Sequence, residues 1–296
     1  MFSIVIPTWN NLDYLKLCVA SIREHSAHDH EIIVHVNDNS DGTLDWVRAE
    51  GLKHTHARDN VGVCIAVNLA AAQASRDWLL YMNDDMVCCP GWDTALIEAT
   101  RAHRDPFAMF FSTLIEPEDT GNPLVVVRNH GRTPDDFDRA ALLAQCNTPA
   151  RPDLFGKGAQ PTLVRRDAWH MVGGYSLEFG PGMSSDDDLL MKFWVAGGRH
   201  FQIVGASRLY HFACRSTKRV RRNHGGRTFV MKWGITQKEF KRRFLEAGAA
   251  AGGPGLPRST ALGRMRRIAY ALNDYPLGDL AAWDPAPGNH IAGDKD

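Results

Sequence analysis

The segment WLLYMNDDM at positions 78–86 joins an apolar run to a cluster of polar residues. Residues 78–82 predict a buried strand, and Asn83, Asp84 and Asp85 follow it directly. Carboxylates at the end of a buried strand lie where an α/β sheet opens into its ligand crevice. Two adjacent acids repel each other unless a cation lies beside them, and a divalent metal carrying a diphosphate meets that need. The alternative is a capped strand end with solvated acids.

Strand and helix patterns alternate on the N-terminal side of this segment. Predicted strands cover residues 3–7, 31–36, 53–57 and 78–82, and predicted helices between them cover 12–25, 43–50 and 61–75. This tight alternation is typical of an α/β fold with a doubly wound, mostly parallel, Rossmann-like sheet. The loops after the strands are therefore expected to face one crevice.

The second half of the chain is less regular. Residues 116–152 are rich in Asp, Pro and Gly and predict a long insertion or substrate loop. Further elements are predicted at 92–103, 107–115, 160–165, 166–172, 185–196, 201–204 and 237–245. Residues 249–257 read as a linker, and a helix within 258–279 is expected to follow it.

Charge is unevenly distributed along a chain whose formal net charge is zero. Residues 215–243 contain eleven Lys or Arg and one acid, Glu239, so a basic segment stands against an acidic body. That asymmetry favours a local anionic ligand over general adhesion to nucleic acid. The six cysteines form no CxxC pair, and no run of eighteen apolar residues occurs. We therefore expect a cytoplasmic protein with reduced thiols and no membrane span, with peripheral membrane contact left open.

Three ordered motifs resemble family 2 glycosyltransferases. They are SIVIPTWN at 3–10, NDNSDGT at 37–43, and Asn60-x-Gly62-x5-Asn68 ahead of Asn83-Asp84-Asp85. The resemblance covers residues 1–100 strongly and 155–235 more loosely. It implies the GT-A fold and an inverting transfer of a sugar from a nucleoside diphosphate sugar, usually with Mg²⁺ or Mn²⁺.

The resemblance also implies a domain plan. Residues 1–246 are expected to form the GT-A domain, with a nucleotide-sugar-binding half at 1–115 and an acceptor half at 155–235. Residues 247–296 are expected to form a linker and a C-terminal helical tail after the basic segment.

Several residues at the predicted strand ends are candidates for binding the donor nucleotide. Asp38 could accept a hydrogen bond from the base or ribose, as an acid does in other nucleotide folds, although a turn-forming role fits it equally well. Arg58 and Asn60 precede a helix whose N-terminus could face a diphosphate. The full set of donor candidates is Pro7, Thr8, Asn10, Asp38, Arg58, Asn60, Asn83 and Asp84.

The metal is assigned to Asp85 and His211. The family pattern at the strand end is Asp-x-Asp, and here Asn83 takes its first position. Asparagine brings no charge, so Asp85 is the expected direct ligand, supported by Asp84. A histidine in the position of His211 often completes the metal site in this family, and neutral imidazole suits Mn²⁺ better than Mg²⁺. The alternative for His211 is a packed core residue.

The second acid cluster, Asp186-Asp187-Asp188, contains the candidate general base. An inverting transferase needs a carboxylate that removes a proton from the attacking hydroxyl. The cluster resembles the acceptor-side Glu-Asp motif of the family, with Ser185 in the Glu position, which makes Asp186 the base and Asp188 the next choice. Ordinary capping of a helix N-terminus is the alternative.

Basic residues after His211 are candidates for neutralising the leaving diphosphate. Arg215, Lys218 and Arg219 are assigned to it, and the segment could close over the donor as a lid. A solvated charged face is the alternative.

Two other function classes remain open at this point. One is a nucleotidyltransferase that uses a nucleoside triphosphate, although residues 7–10 are not a Gly-rich phosphate loop. The other is a non-catalytic protein that binds an anionic ligand through residues 215–243. For a transferase, the hydroxyl acceptor could be a glycan, a lipid-linked molecule or even nucleic acid.

Overall fold

The computed structural model describes residues 1–213, 223–245 and 261–272. Within these residues a ten-stranded sheet carries helices on both faces. The strands are β1 Phe2–Trp9, β2 Glu31–Asn37, β3 Lys53–Ala57, β4 Trp78–Tyr81, β5 Met86–Cys88, β6 Met109–Glu116, β7 Val126–Val127, β8 Leu154–Phe155, β9 Thr162–Arg165 and β10 Phe201–His211. The helices are α1 Leu12–His25, α2 Thr43–Ala49, α3 Gly62–Ala71, α4 Trp92–Arg101, α5 Arg139–Gln145, α6 Arg166–Met171, α7 Ser185–Val195, α8 Gly225–Trp233, α9 Gln237–Phe240 and α10 Ala261–Leu272.

The main path of the sheet runs β3-β2-β1-β4-β9-β6-β10-β5. Strands β3, β2, β1 and β4 are all parallel, so the ends of β1, β2 and β4 lie along one edge. This half confirms the predicted doubly wound arrangement. Beyond β4 the sheet is mixed, because β9 runs antiparallel to both β4 and β6.

Alternation along the strands divides the core between the two faces of the sheet. Ile4 and Ile6 of β1 pack with α1, α2 and α4, whereas Val5 faces α3, α6 and α7. Successive side chains of a strand point to opposite faces, so a strand covered on both faces must be apolar throughout. This requirement explains the apolar run at residues 4–7.

Residues 116–152 form a folded insertion. They contain β7, a 3₁₀ turn at Pro134–Asp136 and α5. Leu142 and Cys146 pack beside Tyr210 and Phe212, and Arg208 donates from Nη1 to the carbonyl of Cys146 over 2.8 Å. The segment shows little hydrophobic periodicity because only a few scattered residues anchor it to the sheet. It covers the end of β10.

Among the described residues after β10, two elements differ from the sequence expectation: α8, and the predicted 237–245 helix, which is α9 at Gln237–Phe240 followed by a π-helical turn at Lys241–Leu245. Helix α8 was not predicted, because its amphipathic pattern is interrupted by glycine at its start and follows a run of basic residues. Helix α10 falls within the predicted 258–279 helix and contacts α8. The division into a 1–246 domain and a 247–296 tail remains a prediction.

A search for membrane spans covered the residues that the structure describes. No helix among them combines the length and the apolar character needed to cross a bilayer.

Candidate active site

A cleft of about 490 Å³ opens at the edge of the sheet where β1, β2 and β4 end. Its walls come from both halves of the chain, since residues of the N-terminal strand ends face a loop at 181–185 and the start of α7. The lining residues with polar side chains are Thr8, Trp9, Asn37, Asn60, Tyr81, Asn83, Asp84, Asp85, Gln160, Ser184, Ser185, Asp186 and His211.

Asp85 and His211 form one corner of this cleft. His211 is the last residue of β10, which runs antiparallel to β5 and so returns beside Asp85. The Nε2 atom of His211 lies 3.4 Å from Oδ1 of Asp85. On its other side, Nδ1 of His211 lies 2.9 Å from Oε1 of Glu116. The sequence assigned Asp85 and His211 to one metal site, and the structure places the two side chains side by side; Glu116 was not identified from the sequence.

The two carboxylates control the charge of His211. Burial disfavours the imidazolium, but Asp85 and Glu116 outweigh that cost and raise the pKa of His211 to about 10. The sequence predicts a cation beside the adjacent acids at the end of β4. Without a metal, the imidazolium of His211 is that cation.

This corner fits a divalent cation. A ligating histidine usually donates its second ring N–H to a carboxylate, which is the position of Glu116 relative to His211. Asp85 supplies an adjacent carboxylate oxygen. Among the described residues no group of three or more His, Cys, Asp or Glu side chains has the arrangement of a metal site. Protein ligands would therefore be few here, and phosphate oxygens and water would complete the coordination, as is common for Mg²⁺.

Asn83 and Asp84 also lie at the cleft, with side chains held by neighbours. Asn83 accepts a hydrogen bond from the Tyr81 hydroxyl over 3.0 Å, and Asp84 accepts one from Asn11 over 3.1 Å. The asparagine at the first position of the motif is thus tied to its own strand, on the side of the cleft toward Tyr81.

The predicted nucleoside contacts divide into two groups. Pro7, Thr8 and Asn60 line the cleft, and the buried Thr8 hydroxyl has no hydrogen-bond partner among the described residues, so a ligand could satisfy it. The structure places the other three, Asn10, Asp38 and Arg58, outside the lining.

Asp38 acts as a turn residue in this structure. It has a φ of 61°, and its Oδ1 accepts from the backbone N–H groups of Asn39 and Ser40. The Asn10 amide donates to Oδ2 over 3.0 Å, and this bond comes first among the contacts that lower the pKa of Asp38. These contacts correspond to the turn-forming alternative, while a nucleotide contact by Asp38 remains a prediction.

Three amide groups at the N-terminus of α3 are satisfied within the protein. Val61 N–H donates to Asn37, Gly62 N–H to Asn60, and Val63 N–H to the carbonyl of Pro181. Gly62 has a φ of 76°, and a Cβ there would lie 2.8 Å from Cα of Pro181. The glycine therefore permits a close approach between α3 and the 181–185 loop, and these amides do not need a diphosphate.

Of the three consecutive acids at the start of α7, Asp186 is the one that lines the cleft. Its Oδ1 accepts two hydrogen bonds of 2.7 Å, from the Tyr175 hydroxyl and from Nε2 of Gln160. Both donors use the same oxygen, so the carboxylate is fixed in orientation. Neither Tyr175 nor Gln160 was singled out from sequence, because no local motif marks them.

Asp187 and Asp188 turn away from the cleft. Asp187 is paired with Lys157 at 2.6 Å and Lys241 at 3.1 Å, and these lysines hold its pKa below the ordinary value despite burial. Asp188 is fully buried and accepts from Ser176 at 2.6 Å and from Trp233 at 2.8 Å. Lys232 lies 2.9 Å from Asp188 as well. The second choice for the base thus occupies an anchoring position.

Arg215, Lys218 and Arg219 lie outside the described residues. Ala213, the last described residue before them, lines the cleft. Their assignment to the diphosphate stays a prediction.

Comparison with known proteins identifies the family of this chain. The family model described as Glycosyl transferase family 2 matches residues 3–151, about half of the chain. Curated relatives from Mycobacterium tuberculosis and Mycobacterium bovis, both called PGL/p-HBAD biosynthesis glycosyltransferase, are 29% identical over 185 residues. That match covers 60% of this chain and 64% of each relative, so the chain spans somewhat less than two thirds of their length.

Solved structures agree on the fold. Residues 1–349 of Staphylococcus aureus TarS align with a TM-score of 0.54 at 14% identity, covering 71% of this chain and 60% of that one. The same protein in complex with UDP-GlcNAc aligns with a TM-score of 0.52 at 13% identity, covering 72% and 60%. The family match and the GT-A arrangement of the sheet confirm the resemblance seen in the sequence, and the chain belongs to glycosyltransferase family 2.

Proposed function

We propose that this chain transfers a sugar from a nucleoside diphosphate sugar to a hydroxyl group, with inversion at the anomeric carbon. The observation that carries the proposal is that Asp186 lines the same cleft as Asp85 and His211. A carboxylate for the acceptor and a cation-binding corner for the donor thus share one cavity. The UDP-GlcNAc complex of TarS supports a nucleotide sugar as the donor class.

In this mechanism Asp186 takes the proton of the acceptor hydroxyl as its oxygen attacks the anomeric carbon. The bond from that carbon to the diphosphate oxygen breaks on the opposite face, and the nucleoside diphosphate leaves with the electron pair. Tyr175 and Gln160 hold one oxygen of Asp186, which leaves the other oxygen to receive the proton.

A divalent cation would be held by Asp85 and His211 and would neutralise the diphosphate. Glu116 would orient His211 by accepting its Nδ1–H. Arg215, Lys218 and Arg219 are proposed to add positive charge near the leaving group, since they follow Ala213 at the cleft within a few residues.

The donor site can be tested without knowing the acceptor. Melting temperatures are measured with UDP, GDP, CDP, ADP and dTDP, each with and without Mn²⁺, because a ligand that binds only the folded state raises the melting temperature. We expect a rise with one diphosphate that depends on Mn²⁺ and is lost in Asp85→Asn. The exposed Asp13→Asn is the matched control and should respond like the native chain.

Adding the corresponding nucleoside triphosphates to this panel separates the alternatives. A response to a triphosphate that exceeds the diphosphate response would favour a nucleotidyltransferase. If no nucleotide raised the melting temperature in either metal condition, the transferase proposal would be wrong, and binding of an anionic ligand by residues 215–243 would replace it.

A further inference from the structure

Over residues 261–269, whose side chains the structure describes, helix α10 exposes its large apolar side chains instead of burying them. Leu262, Met265 and Ile268 are 51%, 68% and 58% exposed. The buried position in the described part of this helix is Gly263, where an added Cβ would overlap the carbonyl of Gly234. Helix α10 thus contacts the segment after α8 through a glycine and turns Leu262, Met265 and Ile268 to solvent.

Helical geometry places these side chains on one face. At about 100° per residue, Met265 and Ile268 lie roughly 160° and 140° around the helix from Gly263, and Leu262 about 100°. The apolar arc is therefore centred almost opposite the side that contacts the protein. An ordinary surface helix has the reverse arrangement, with its apolar stripe toward the core.

Helix α1 provides the comparison within the same chain. Its Leu15, Val19 and Ile22 are buried against the sheet, and the charged side chains of Lys16, Arg23 and Glu24 face outward. An apolar stripe that is contiguous and exposed marks an interaction surface.

Arginines flank this stripe on both sides. On the same geometry Arg264 lies about 40° beyond Ile268, and Arg266 about 40° beyond Leu262. Arg267 lies on the protein side, where it donates to the carbonyl of Lys232 over 3.3 Å. Residues 258–272 contain no acidic side chain. The charge beside the apolar face is therefore uniformly positive.

We propose that α10 docks this protein on a membrane surface that contains anionic lipid. The apolar face would enter the boundary between headgroups and acyl chains, and the flanking arginines would contact lipid phosphates, as in amphipathic helices that lie in the interface plane. Its twelve residues give a length of about 18 Å, which suits lying on a bilayer and is too short to cross one.

Charge complementarity favours an anionic lipid surface over a second copy of the chain as the partner of α10. A second copy of the chain would bring the same arginines against each other, which costs energy, whereas anionic headgroups match them on both edges of the stripe. The proposal is independent of the sugar transfer, because it uses no residue of the cleft.

The test is co-sedimentation of the full chain with large unilamellar vesicles. One set contains phosphatidylcholine alone, and the other contains 30% phosphatidylglycerol. The test variant is Leu262→Ser/Met265→Ser/Ile268→Ser. The control removes three exposed apolar side chains elsewhere, as Leu69→Ser/Val127→Ser/Met171→Ser. Circular dichroism and melting curves establish that both variants fold.

We expect the native chain and the control to bind the anionic vesicles, and the α10 variant to bind at least tenfold more weakly. Arg266→Gln should weaken binding at low salt, with a smaller effect at high salt, because exposed charges are screened. Equal binding to both vesicle types would overturn the assignment to anionic lipid.

Three other results would overturn the proposal. One is binding of the α10 variant equal to that of the control, and another is no vesicle binding by the native chain, which would assign the face to residues 273–296 or to a partner protein. The third is a concentration-dependent dimer in light scattering that the α10 variant abolishes, which would assign the face to a second copy. Nucleotide-induced stabilisation is unaffected in each case, so failure here is distinct from failure of the transferase proposal.

Discussion

The two acid clusters of this chain were assigned from the sequence to different tasks, the first to the metal and the second to the general base, and their structures differ as well. Asp84 and Asp85 follow a strand and both line the cleft. Asp186, Asp187 and Asp188 begin a helix, and Asp186 alone of the three lines it. Successive side chains of a helix differ in direction by about 100°, and along α7 this rotation carries Asp187 and Asp188 away from the cleft.

This difference means that a cluster of like charges at a helix start should be read one residue at a time. Asp187 is paired with two lysines and Asp188 accepts hydrogen bonds from Ser176 and Trp233. The cluster therefore combines a candidate base with two anchors that hold α7 to the C-terminal helices. Each position should give a different response to substitution.

The largest effect is expected at Asp186. Replacement by asparagine removes the proton acceptor and keeps the shape, so kcat should fall by about 10²–10⁴-fold. The dissociation constant of the nucleoside diphosphate and the melting temperature should stay close to those of the native chain. The measurement is single-turnover transfer at saturating donor, with Asp45→Asn as the control. If Asp186→Asn transferred sugar at the native rate, Asp186 would not be the base. The functional difference between Asp186 and the two acids that follow it would then disappear.

Asp188 should give the opposite pattern, with a large loss of stability. The side chain is fully buried, and Asp188→Ala leaves the Trp233 N–H and the Lys232 ammonium without this partner. Breaking such a buried pair should lower the free energy of unfolding by about 3 kcal/mol. Urea denaturation of Asp188→Ala measures this change, and Asp188→Asn, which retains an acceptor oxygen, should lose less. Unchanged stability in Asp188→Ala would return this residue to the list of candidate bases.

The donor half was predictable from sequence because its signals are local. Parallel strands covered on both faces must be apolar, and the polar residues that end them are adjacent in sequence. Asp85 was therefore placed at the crevice from the order of residues 78–86 alone. The pairing of Asp85 with His211 came from the family resemblance, and the antiparallel contact of β10 with β5 is its structural basis.

The acceptor half was less predictable because its contacts are distant in sequence. Gln160 and Tyr175 meet at Asp186 from two separate segments, and Glu116 reaches His211 from the neighbouring strand β6, far away in the sequence. Neither hydrophobic periodicity nor a short sequence motif indicates such long-range side-chain contacts. Asp38 illustrates the reverse problem, since one pattern suits both a turn and a ligand contact, and here the local backbone bonds have occupied its Oδ1.

A structural carboxylate in the donor half gives a smaller and pH-dependent effect. Glu31 is partly buried, yet hydrogen bonds from Ser3, Ser75 and Lys53 lower its pKa to about 2. Because the folded-state pKa lies below the unfolded value, this stabilisation is complete above about pH 4.5 and is lost as the pH falls toward 2. Glu31→Gln should therefore lower the free energy of unfolding by about 2 kcal/mol at pH 7 and by much less at pH 2.5.

Urea denaturation across this pH range measures the effect. Asp13→Asn, at an exposed site, serves as the control for the loss of one carboxylate. A constant difference between Glu31→Gln and the native chain from pH 7 to pH 2.5 would contradict the lowered pKa.

The smallest effect tests how Asp186 is oriented. Tyr175→Phe removes one of the two donors to Oδ1 and leaves Gln160 in place. A single hydrogen bond to a charged group contributes about 1.5 kcal/mol, so kcat should fall about tenfold while the donor affinity stays unchanged. Gln160→Ala should act in the same direction. Since both side chains position one carboxylate, the double variant should lose less than the product of the two single effects, and independent effects would show that they act through different groups.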